Sequence, residues 1–425
     1  MRIDDVICPF CGALCDDIAI NVEDNRIENI EEACSLGVHK FMGINHHRPT
    51  RPFIRDEEVK YVDVENATEE AARILRESKK PLLYGFSSTN CEAQEVGIEL
   101  AEKLGGVVDC TSSVCHGPSI IAIQDVGFPS VTLGEVRNRA DLVIYWGSNV
   151  MHAHPRHASR YTHYPRGRFR ERGKLDREMI VIDVRETESA NIADQFIKVE
   201  PNRDYEVLNA LRTLLNNGDI SQESVGGVDK QTLVELVEKM KSCQFGIIFF
   251  GVGLVMSYGK HKNISEAICL TRDLNRFTKF SIMPMRGHYN VTGFNEVATW
   301  LTGYPYAVDF SKGYPWYNPG ETDANSVLQH EEVDAALIIS SDPVAHFPKS
   351  SVKYLSKIPV IVIDPYECLT SQIATVFIPS AVTGVETGGA AYRMDCIPLR
   401  LKKVVDPPAG ILEDKDILTR IMNKL

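Results

Sequence analysis

The chain reads CPFCGALCDD at residues 8–17, which places Cys8, Cys11 and Cys15 close together. Cys34 follows after a further eighteen residues. This spacing lets three thiolates grip one face of a compact metal core, while the distant fourth cysteine closes the site. Cuboidal [4Fe–4S] clusters are bound in this way, through four cysteine thiolates. The segment therefore predicts a small N-terminal domain built around an iron–sulfur cluster.

A structural zinc site is the alternative for these four cysteines. Zinc sites usually combine two short C-x2-C-type motifs, and the second motif is missing here. The chain has eleven cysteines in all. An odd number cannot pair completely, and in a cytosolic chain metal or redox chemistry explains many cysteines better than disulfides do. A cluster is thus favoured over zinc, and over incidental buried thiols.

Composition limits the remaining possibilities. A chain of 425 residues, 44% of them apolar, suits a multi-lobed globular protein with a large core. The net charge of -12 argues against a nucleic-acid binder. The longest apolar run, residues 243–256, is too short and too rich in glycine to span a membrane. The N-terminus lacks a signal-peptide pattern, so we expect a cytoplasmic location.

Beyond residue 55, apolar strand patterns alternate with helical ones, which predicts parallel sheets covered on both faces. The strand patterns lie at 81–86, 106–109, 142–146, 179–184, 245–250, 335–339 and 360–363, and the helical ones at 92–104, 205–215 and 232–240. We expect an α/β fold with a [4Fe–4S] domain at 1–55, one Rossmann-like pterin-binding lobe at 56–125 and 325–425, and a second at 126–324. Residues 302–321 are rich in Gly, Pro and Tyr and are expected to form a long ordered loop.

Several motifs together resemble the molybdopterin oxidoreductase superfamily, and within it the B subunits of formylmethanofuran dehydrogenase. They are, in order, CPFCGALCDD at 8–17, CTSSVCHG at 110–117, WGSN at 146–149 with HPR at 154–156, VIDVRET at 181–187, PNRD at 201–204 and ETGG at 386–389. Only the first is specific by itself, and their order along nearly the whole chain carries the resemblance. The gap before Cys34 is shorter than in the wider superfamily. The chain also stops where larger relatives continue into a further pterin-binding domain, which in this family a separate small subunit supplies.

The resemblance assigns three active-site residues. Cys115 follows a predicted strand and, as a soft thiolate, suits tungsten or molybdenum. From spacing alone Cys115 and its rival Cys110 would each be small buried hydrophobes, and the resemblance favours Cys115. Next to it, His116 is a candidate proton relay. Arg286, in the segment MPMRGH, would hold CO2 or formate, although it could also pair with a surface carboxylate.

The resemblance also implies two molybdopterin guanine dinucleotides. Glycines at strand ends let backbone amides approach a pyrophosphate, and strand-end carboxylates can accept from ribose or guanine. The candidate residues are Gly147, Ser148, Asn149, His154, Arg156, Asp183, Thr187, Asp204, Gly251, Gly253, Asp342 and Gly388. Simple turn roles remain equally open for the last four.

The implied activity is the reversible reduction of CO2 to formate. An amidohydrolase-like partner would join formate to methanofuran, ferredoxin-like subunits would supply electrons, and a small subunit would add the missing pterin domain. A formate dehydrogenase-type enzyme is the first alternative. A non-catalytic iron–sulfur electron-transfer subunit and a zinc-stabilised binding module are the others. The sequence does not distinguish tungsten from molybdenum.

One basic segment contrasts with the acidic composition of the chain. Between residues 156 and 177 lie Arg160, Arg166, Arg168, Arg170, Arg172 and Lys174. The segment is either a solvated loop or a patch for phosphates or for an acidic partner subunit.

Overall fold

The structure is a computed structural model that describes residues 1–425. Its strands are β1 Arg2–Val6, β2 Ile18–Glu23, β3 Arg26–Glu31, β4 Phe53–Arg55, β5 Val59–Tyr61, β6 Pro81–Gly85, β7 Val107–Cys110, β8 Leu142–Trp146, β9 Glu178–Asp183, β10 Gln195–Lys198, β11 Ser224–Val225, β12 Val228–Asp229, β13 Phe245–Phe250, β14 Lys279–Pro284, β15 Val308–Asp309, β16 Trp316–Tyr317, β17 Ala335–Ile339, β18 Val360–Asp364, β19 Val376–Pro379, β20 Gly389–Tyr392 and β21 Pro398–Leu401. Each strand pattern named from the sequence coincides with one of these strands to within a residue or two.

The α-helices are α1 Ser35–Met42, α2 Val64–Glu77, α3 Cys91–Leu104, α4 Gly117–Val126, α5 Leu133–Arg139, α6 Val150–Ala153, α7 Asp204–Leu215, α8 Lys230–Ser242, α9 Val252–Met256, α10 His261–Leu274, α11 Val291–Thr302, α12 Ala324–Gln329, α13 Pro343–His346, α14 Lys349–Leu355 and α15 Asp414–Asn423. Several begin after a side chain that accepts a hydrogen bond from an amide three residues on, which satisfies a helix-terminal donor. These capping residues are Asp63, Asn90, Thr132, Asp229 and Asp323. No helix has the length and apolar character needed to cross a membrane.

The chain forms two compact units. The first comprises Met1–Val114, His288–Arg393 and Pro398–Leu425, and the second comprises Cys115–Gly287 and Met394–Ile397. The cysteine-rich N-terminus therefore belongs to the first unit. Residues 288–324, expected in the second lobe, also lie in the first unit, and residues 115–125, expected in the first lobe, lie in the second unit.

The second unit contains a five-stranded parallel sheet in the order β10–β9–β8–β13–β14. All six residues of β13, the sequence FGIIFF, are buried, as expected for a parallel strand covered on both faces. The helices supply the apolar residues that complete the core, among them Leu211 of α7 and Ile268 of α10. The strand order reverses between β8 and β13, the position at which open α/β sheets bind ligands.

The first unit contains a nine-stranded sheet in the order β16–β15–β7–β6–β17–β18–β19–β4–β5. Its five central strands, β7 to β19, are parallel, as the sequence predicts. The edge strands are antiparallel. Two of them, β15 and β16, come from the expected long loop, where the rings of Tyr304 and Tyr317 stack with centroids 4.9 Å apart.

A three-stranded antiparallel sheet, β1–β2–β3, surrounds the N-terminal cysteines. No periodic pattern is visible here in the sequence, so these strands were not predicted. In β2 the buried residues include neighbours such as Ala19 and Ile20, and the strand therefore lacks the alternation that identifies a half-exposed strand.

Candidate functional site

The N-terminal cysteines lie in a tight turn. The amide of Cys8 donates to the carbonyl of Cys15 at 2.9 Å, and the amide of Leu14 donates to the carbonyl of Cys11 at 3.1 Å. Leu14 itself is fully buried and adopts a φ of 37°, a backbone conformation that a bulky residue holds only when packing enforces it. The turn therefore brings three of the four predicted ligands together.

Cys34 joins them at the N-terminus of α1. Its sulfur accepts from the amide of Gly37 at 3.4 Å, an arrangement that favours a thiolate. A Cβ atom at Gly37 would lie 3.7 Å from the sulfurs of both Cys34 and Cys8. Any side chain larger than alanine would enter the space between these two sulfurs. Gly37 was not predicted as a site residue, although its position three residues after the cysteine was a usable signal.

Burial and mutual repulsion dominate the electrostatics of this group of thiols. Burial, followed by the charges of Cys11 and Cys15, raises the pKa of Cys8 well above its usual value. Burial also raises the pKa of Cys11 to about 11, against a lowering effect of Lys40. Facing buried thiols resist ionisation until a cationic group compensates their charge. Nowhere in the chain do three or more ligand side chains converge on a position for a single ion.

The two candidate metal cysteines have different surroundings. Cys110 ends β7 and is completely buried, and its sulfur accepts from the amide of Ser112 at 3.4 Å and from Nδ2 of Asn295 at 3.8 Å. Cys115 follows a short 3₁₀ turn at Thr111–Val114 and is half-buried. Of the two, Cys115 is the thiol that an external group can reach more easily.

His116, directly before α4, is buried and has a partner at each ring nitrogen. Nε2 lies 3.2 Å from the carbonyl oxygen of Met285, and Nδ1 lies 3.1 Å from the hydroxyl of Ser119. A carbonyl only accepts, so Nε2 carries the proton. Burial, and after it the charge of Arg286, lowers the pKa of His116 to about 3. The imidazole is neutral near pH 7, and the proton-relay role stays a prediction.

A second imidazole acts on the neighbouring peptide. His154, also buried, donates from Nε2 to the carbonyl of Arg286 at 2.8 Å. His116 and His154 thus hold two successive carbonyl oxygens, at positions 285 and 286, just after β14. Arg286 itself is only 7% exposed. The structure therefore brings His116, His154 and Arg286 together in the second unit.

The glycines after β8 and β13 interlock. A Cβ atom at Gly147 would lie 2.4 Å from the amide nitrogen of Leu254, and one at Gly251 would lie 2.4 Å from the carbonyl oxygen of Gly147. The Gly147 amide donates to Ile182, and that of Gly253 donates back to Gly147 at 3.0 Å. These amides are engaged within the unit. These glycines allow a close approach of two backbones, and their role at a pyrophosphate stays a prediction.

Two of the predicted strand-end carboxylates are occupied by protein donors. Asp204 accepts from Nε1 of Trp146 at 2.8 Å and from the hydroxyl of Ser257 at 2.5 Å. Asp342 accepts from both the amide and the hydroxyl of Thr370, at 2.9 Å and 2.6 Å. Both carboxylates therefore tie distant segments of their own unit together.

Most of the other residues predicted to bind the cofactor lie at or after the ends of β8 and β9. Asn149 bridges to Glu188 and Ser189, at 2.6 Å and 2.8 Å. Burial raises the pKa of Asp183, which ends β9, and the amide of the next residue lowers it in part. The predicted Ser148 is buried and Arg156 is half-buried. In the first unit, Gly388 accepts from Asn90 through its carbonyl at 2.9 Å.

Comparison with known proteins identifies the family to which this chain belongs. Residues 48–424 match the family model of the molybdopterin oxidoreductases. The chain belongs to the molybdopterin oxidoreductase family. It is 54% identical to the B subunit of the tungsten-containing formylmethanofuran dehydrogenase 2 of Methanocaldococcus jannaschii and 51% identical to that of Methanococcus maripaludis, each over 99% of this chain and 98% of the relative. This molybdopterin oxidoreductase is therefore of the same type as the B subunits of formylmethanofuran dehydrogenase.

A solved structure agrees with the fold of this molybdopterin oxidoreductase. The formyltransferase/hydrolase complex FhcABCD of Methylorubrum extorquens, crystallised with methylofuran, contains a chain that superposes with a TM-score of 0.72 at 21% identity. The match covers 88% of this chain and 98% of that one. At this identity the likeness speaks for the fold alone. It agrees with the mixed α/β architecture built on parallel sheets.

Membership of the family implies a tungsten- or molybdenum-bearing pterin cofactor, and the residues present fit one. Among the candidates, two buried polar atoms have no partner within the chain, namely Nδ1 of His154 and Oγ1 of Thr187. Because buried polar atoms are normally hydrogen-bonded, these two are open to a bound group. The half-buried thiol of Cys115 supplies the soft donor that such a metal prefers.

Proposed function

We propose that this chain is the catalytic subunit of a formylmethanofuran dehydrogenase that reduces CO2 to formate reversibly. The supporting observation is 54% identity over 99% of the chain to a subunit of that enzyme. The second unit also contains a half-buried thiol, a buried arginine and two buried imidazoles that hold its peptide, at Cys115, Arg286, His116 and His154. These are the groups that the reaction needs from the protein.

In this proposal, Cys115 binds the metal through its thiolate, and the pterin-bound metal supplies two-electron exchange with the carbon atom. Arg286 binds the carboxyl group of formate, or CO2, by charge-assisted hydrogen bonds. A guanidinium buried to this degree acts at lower dielectric than a surface one, so its field on a bound carboxylate is stronger. His116 and His154 hold the peptide of Arg286 in place. His116 keeps its proton on Nε2 while doing so.

The N-terminal domain, residues 1–55, binds a [4Fe–4S] cluster in this proposal. Cys8, Cys11, Cys15 and Cys34 are its ligands, supported by the tight turn and by the capping sulfur at α1. Such clusters reach the low potentials that CO2 reduction requires. Ferredoxin-like subunits would deliver the electrons one at a time.

Two molybdopterin guanine dinucleotides would carry the metal. The carboxyl ends of β8, β9 and β13 are the proposed position for one of them, because the strand order reverses there. Ser148, Asn149, Arg156, Asp183 and Thr187 lie on the segments that follow β8 and β9 and are its proposed contacts. The strand ends of β17 and β18 and the segment at Gly388 are proposed for the second, in the first unit.

Partner subunits complete the proposed enzyme. An amidohydrolase-like subunit would join formate to methanofuran, and a small subunit would supply a further pterin-binding domain. The chain's fold occurs in FhcABCD, a complex of several subunits, which supports a multi-subunit assembly.

The decisive experiment is an assay of the purified complex with two substrates. We expect tungsten or molybdenum together with iron, and reduction of a viologen dye by formylmethanofuran but only slow reduction by free formate. Equally fast oxidation of free formate by the complex and by this chain alone would instead establish the formate dehydrogenase alternative. Iron without tungsten or molybdenum, and no dye reduction with either substrate, would indicate a non-catalytic electron-transfer subunit.

A further inference from the structure

The arginine-rich segment at residues 156–177 is anchored by two of its own arginines. Arg170, which is buried, donates from Nε to the carbonyl of Arg139 at 2.9 Å. Arg177, also buried, donates to the carbonyls of Ala140 at 2.6 Å and Pro165 at 3.2 Å. Burial lowers the pKa of Arg177 to about 10. These two charges serve the fold and are not available to a ligand.

Just before the first anchor, Arg170, the backbone is fixed against the end of α5. The amide of Phe169 donates to the carbonyl of Asn138 at 3.1 Å, and the amide of Arg168 donates to the side chain of the same residue at 2.9 Å. At Gly167 a Cβ atom would lie only 2.1 Å from the carbonyl oxygen of Arg137. The segment is therefore a shaped part of the second unit rather than a loose solvated loop.

This backbone and the connection from α10 to β14 together form an exposed surface of cations and aromatic rings. We call it the arginine–phenylalanine surface, defined by Arg166, Arg168, Phe169, Arg276, Phe277 and Lys279, all of them exposed. Four of these residues line a depression of about 490 Å³. The rings of Phe169 and Phe277 are 49% and 47% exposed. The guanidinium groups of Arg139 and Arg168 lie 4.6 Å and 5.6 Å from the centre of the Phe169 ring.

Its cations are not neutralised from within the chain. No carboxylate lies within 4.0 Å of the charged nitrogens of Arg166, Arg168 or Lys279. Three acids lie nearby: Glu171 is beside the first two arginines, Glu135 pairs with Arg139 at 2.6 Å, and Asp141 lies 3.6 Å from Arg170. In a chain of net charge -12, such a concentration of uncompensated cations favours an acidic partner.

We propose that the arginine–phenylalanine surface binds an acidic segment of a partner subunit. Its carboxylates would contact Arg166, Arg168 and Lys279, and an apolar side chain between them would cover the phenylalanine rings. Arginine and aromatic residues are enriched where protein interfaces gain most of their affinity. Half-exposed rings do not help to bind a small phosphate, and the cations are spread over an open face rather than converging on one anion. The inference rests on the proposed multi-subunit complex, but not on the reaction that the complex performs.

Lys279 offers a direct test in the wild-type complex, because a carbodiimide joins a lysine only to a carboxylate in contact with it. We expect the cross-linked peptide to pair Lys279 with an aspartate- or glutamate-rich segment of another subunit. The cross-link should weaken as salt is raised from low to physiological strength, since exposed charges are screened over about 10 Å at 0.1 M. Cross-linking to a second copy of this chain, or to no partner subunit at all, would refute the proposal.

A charge-reversal pair tests the surface independently. The variant R166E/R168E should lower the occupancy of one partner subunit in the complex at least tenfold, as measured by native mass spectrometry. The matched control K60E/K262E makes the same charge change at two exposed lysines elsewhere and should keep every subunit. Thermal melting of both variants should equal that of the wild type, because neither arginine side chain supports the fold.

The outcomes also separate this inference from the proposed function. Full occupancy of every subunit in R166E/R168E would overturn the docking surface even if the complex oxidises formylmethanofuran. A complex that assembles through Lys279 but lacks that activity would overturn the function and leave the docking surface standing. If inorganic phosphate at millimolar concentration binds the wild type but not R166E/R168E while all subunits stay bound, the surface is an anion site and the docking proposal fails.

Discussion

His154 donates a hydrogen bond from Nε2 to the backbone carbonyl of Arg286, 2.8 Å away. His116 does the same to the preceding carbonyl, that of Met285, at 3.2 Å. The two imidazoles therefore fix the peptide from which the Arg286 side chain departs. From the sequence, His154 was expected to contact the cofactor. In the structure its Nε2 positions the Arg286 peptide, and only Nδ1 is available to a bound group.

The first prediction separates these two roles of His154. His154→Phe keeps the ring but removes the donor, so the Arg286 carbonyl loses its partner and the guanidinium shifts. Because a displacement of about 1 Å can cost a hundredfold in rate, we expect kcat to fall between about tenfold and a hundredfold. Tungsten or molybdenum content should stay at the wild-type level. The measurements are steady-state kinetics and elemental analysis of the complex.

His154→Gln is the rescue variant, because its amide N–H can donate to the same carbonyl and should restore part of the rate. His152→Ala is the control, an exposed histidine two residues away. Loss of metal and of activity in equal proportion in His154→Phe would show that His154 mainly binds the cofactor.

The second prediction concerns Asp204, which was expected to bind a nucleotide. Asp204→Ala removes the acceptor of two hydrogen bonds and leaves the indole N–H of Trp146 buried without a partner. Since a hydrogen bond to a charged group contributes about 1.5–3 kcal/mol, we expect a loss of about 3 kcal/mol of stability. The apparent melting temperature of the complex should fall, while the pterin content of the folded fraction stays constant.

Trp146→Phe tests the same pair from its other side. It should lower the melting temperature less, and combining it with Asp204→Ala should add little, because one interaction is removed in both cases. Unchanged stability of Asp204→Ala with lost pterin would return Asp204 to the nucleotide site.

Asp204 also shows what a local sequence pattern does not reveal. The apolar runs at β8, β9, β13, β17 and β18 predict buried parallel strands, because a strand covered on both faces needs apolar residues along its whole length. A carboxylate near such strand ends has the same local pattern whether it binds a ligand or a neighbouring segment. The difference lies in a partner such as Trp146, 58 residues away in sequence, which no local pattern reveals.

The edges of the first sheet were missed for a related reason. The strands β15 and β16 contain two residues each, too few for any periodicity.

The interlocked glycines after β8 and β13 are a third case in which the sequence was insufficient. A glycine after a strand signals a close approach of some group, but at Gly147 the group that approaches is the backbone of Gly253 and Leu254. The sequence places these glycines after strands but does not identify the group that approaches them.

The third prediction tests the iron–sulfur ligand set. Cys34→Ser replaces the sulfur that caps α1 with a poorer iron ligand, so the electron paramagnetic resonance signal of the reduced cluster should be lost or altered. Cys396→Ser is the matched control, since this cysteine is exposed and lies in the second unit. An unchanged spectrum in Cys34→Ser would remove it from the ligand set. A zinc content of one per chain with no such signal in the wild type would support the zinc alternative.

The fourth prediction compares the two cysteines that compete for the metal. Cys115→Ser should abolish dye reduction by formylmethanofuran while leaving the iron–sulfur signal intact, because the half-buried thiol is the proposed metal donor. Cys110→Ser should keep most of the activity and instead cost about 1–3 kcal/mol of stability, since a hydroxyl enters a fully buried position. Activity and melting temperature, measured together, distinguish the two effects. If Cys110→Ser were inactive and Cys115→Ser active, Cys110 would be the metal ligand. The proposed site would then be centred on the end of β7.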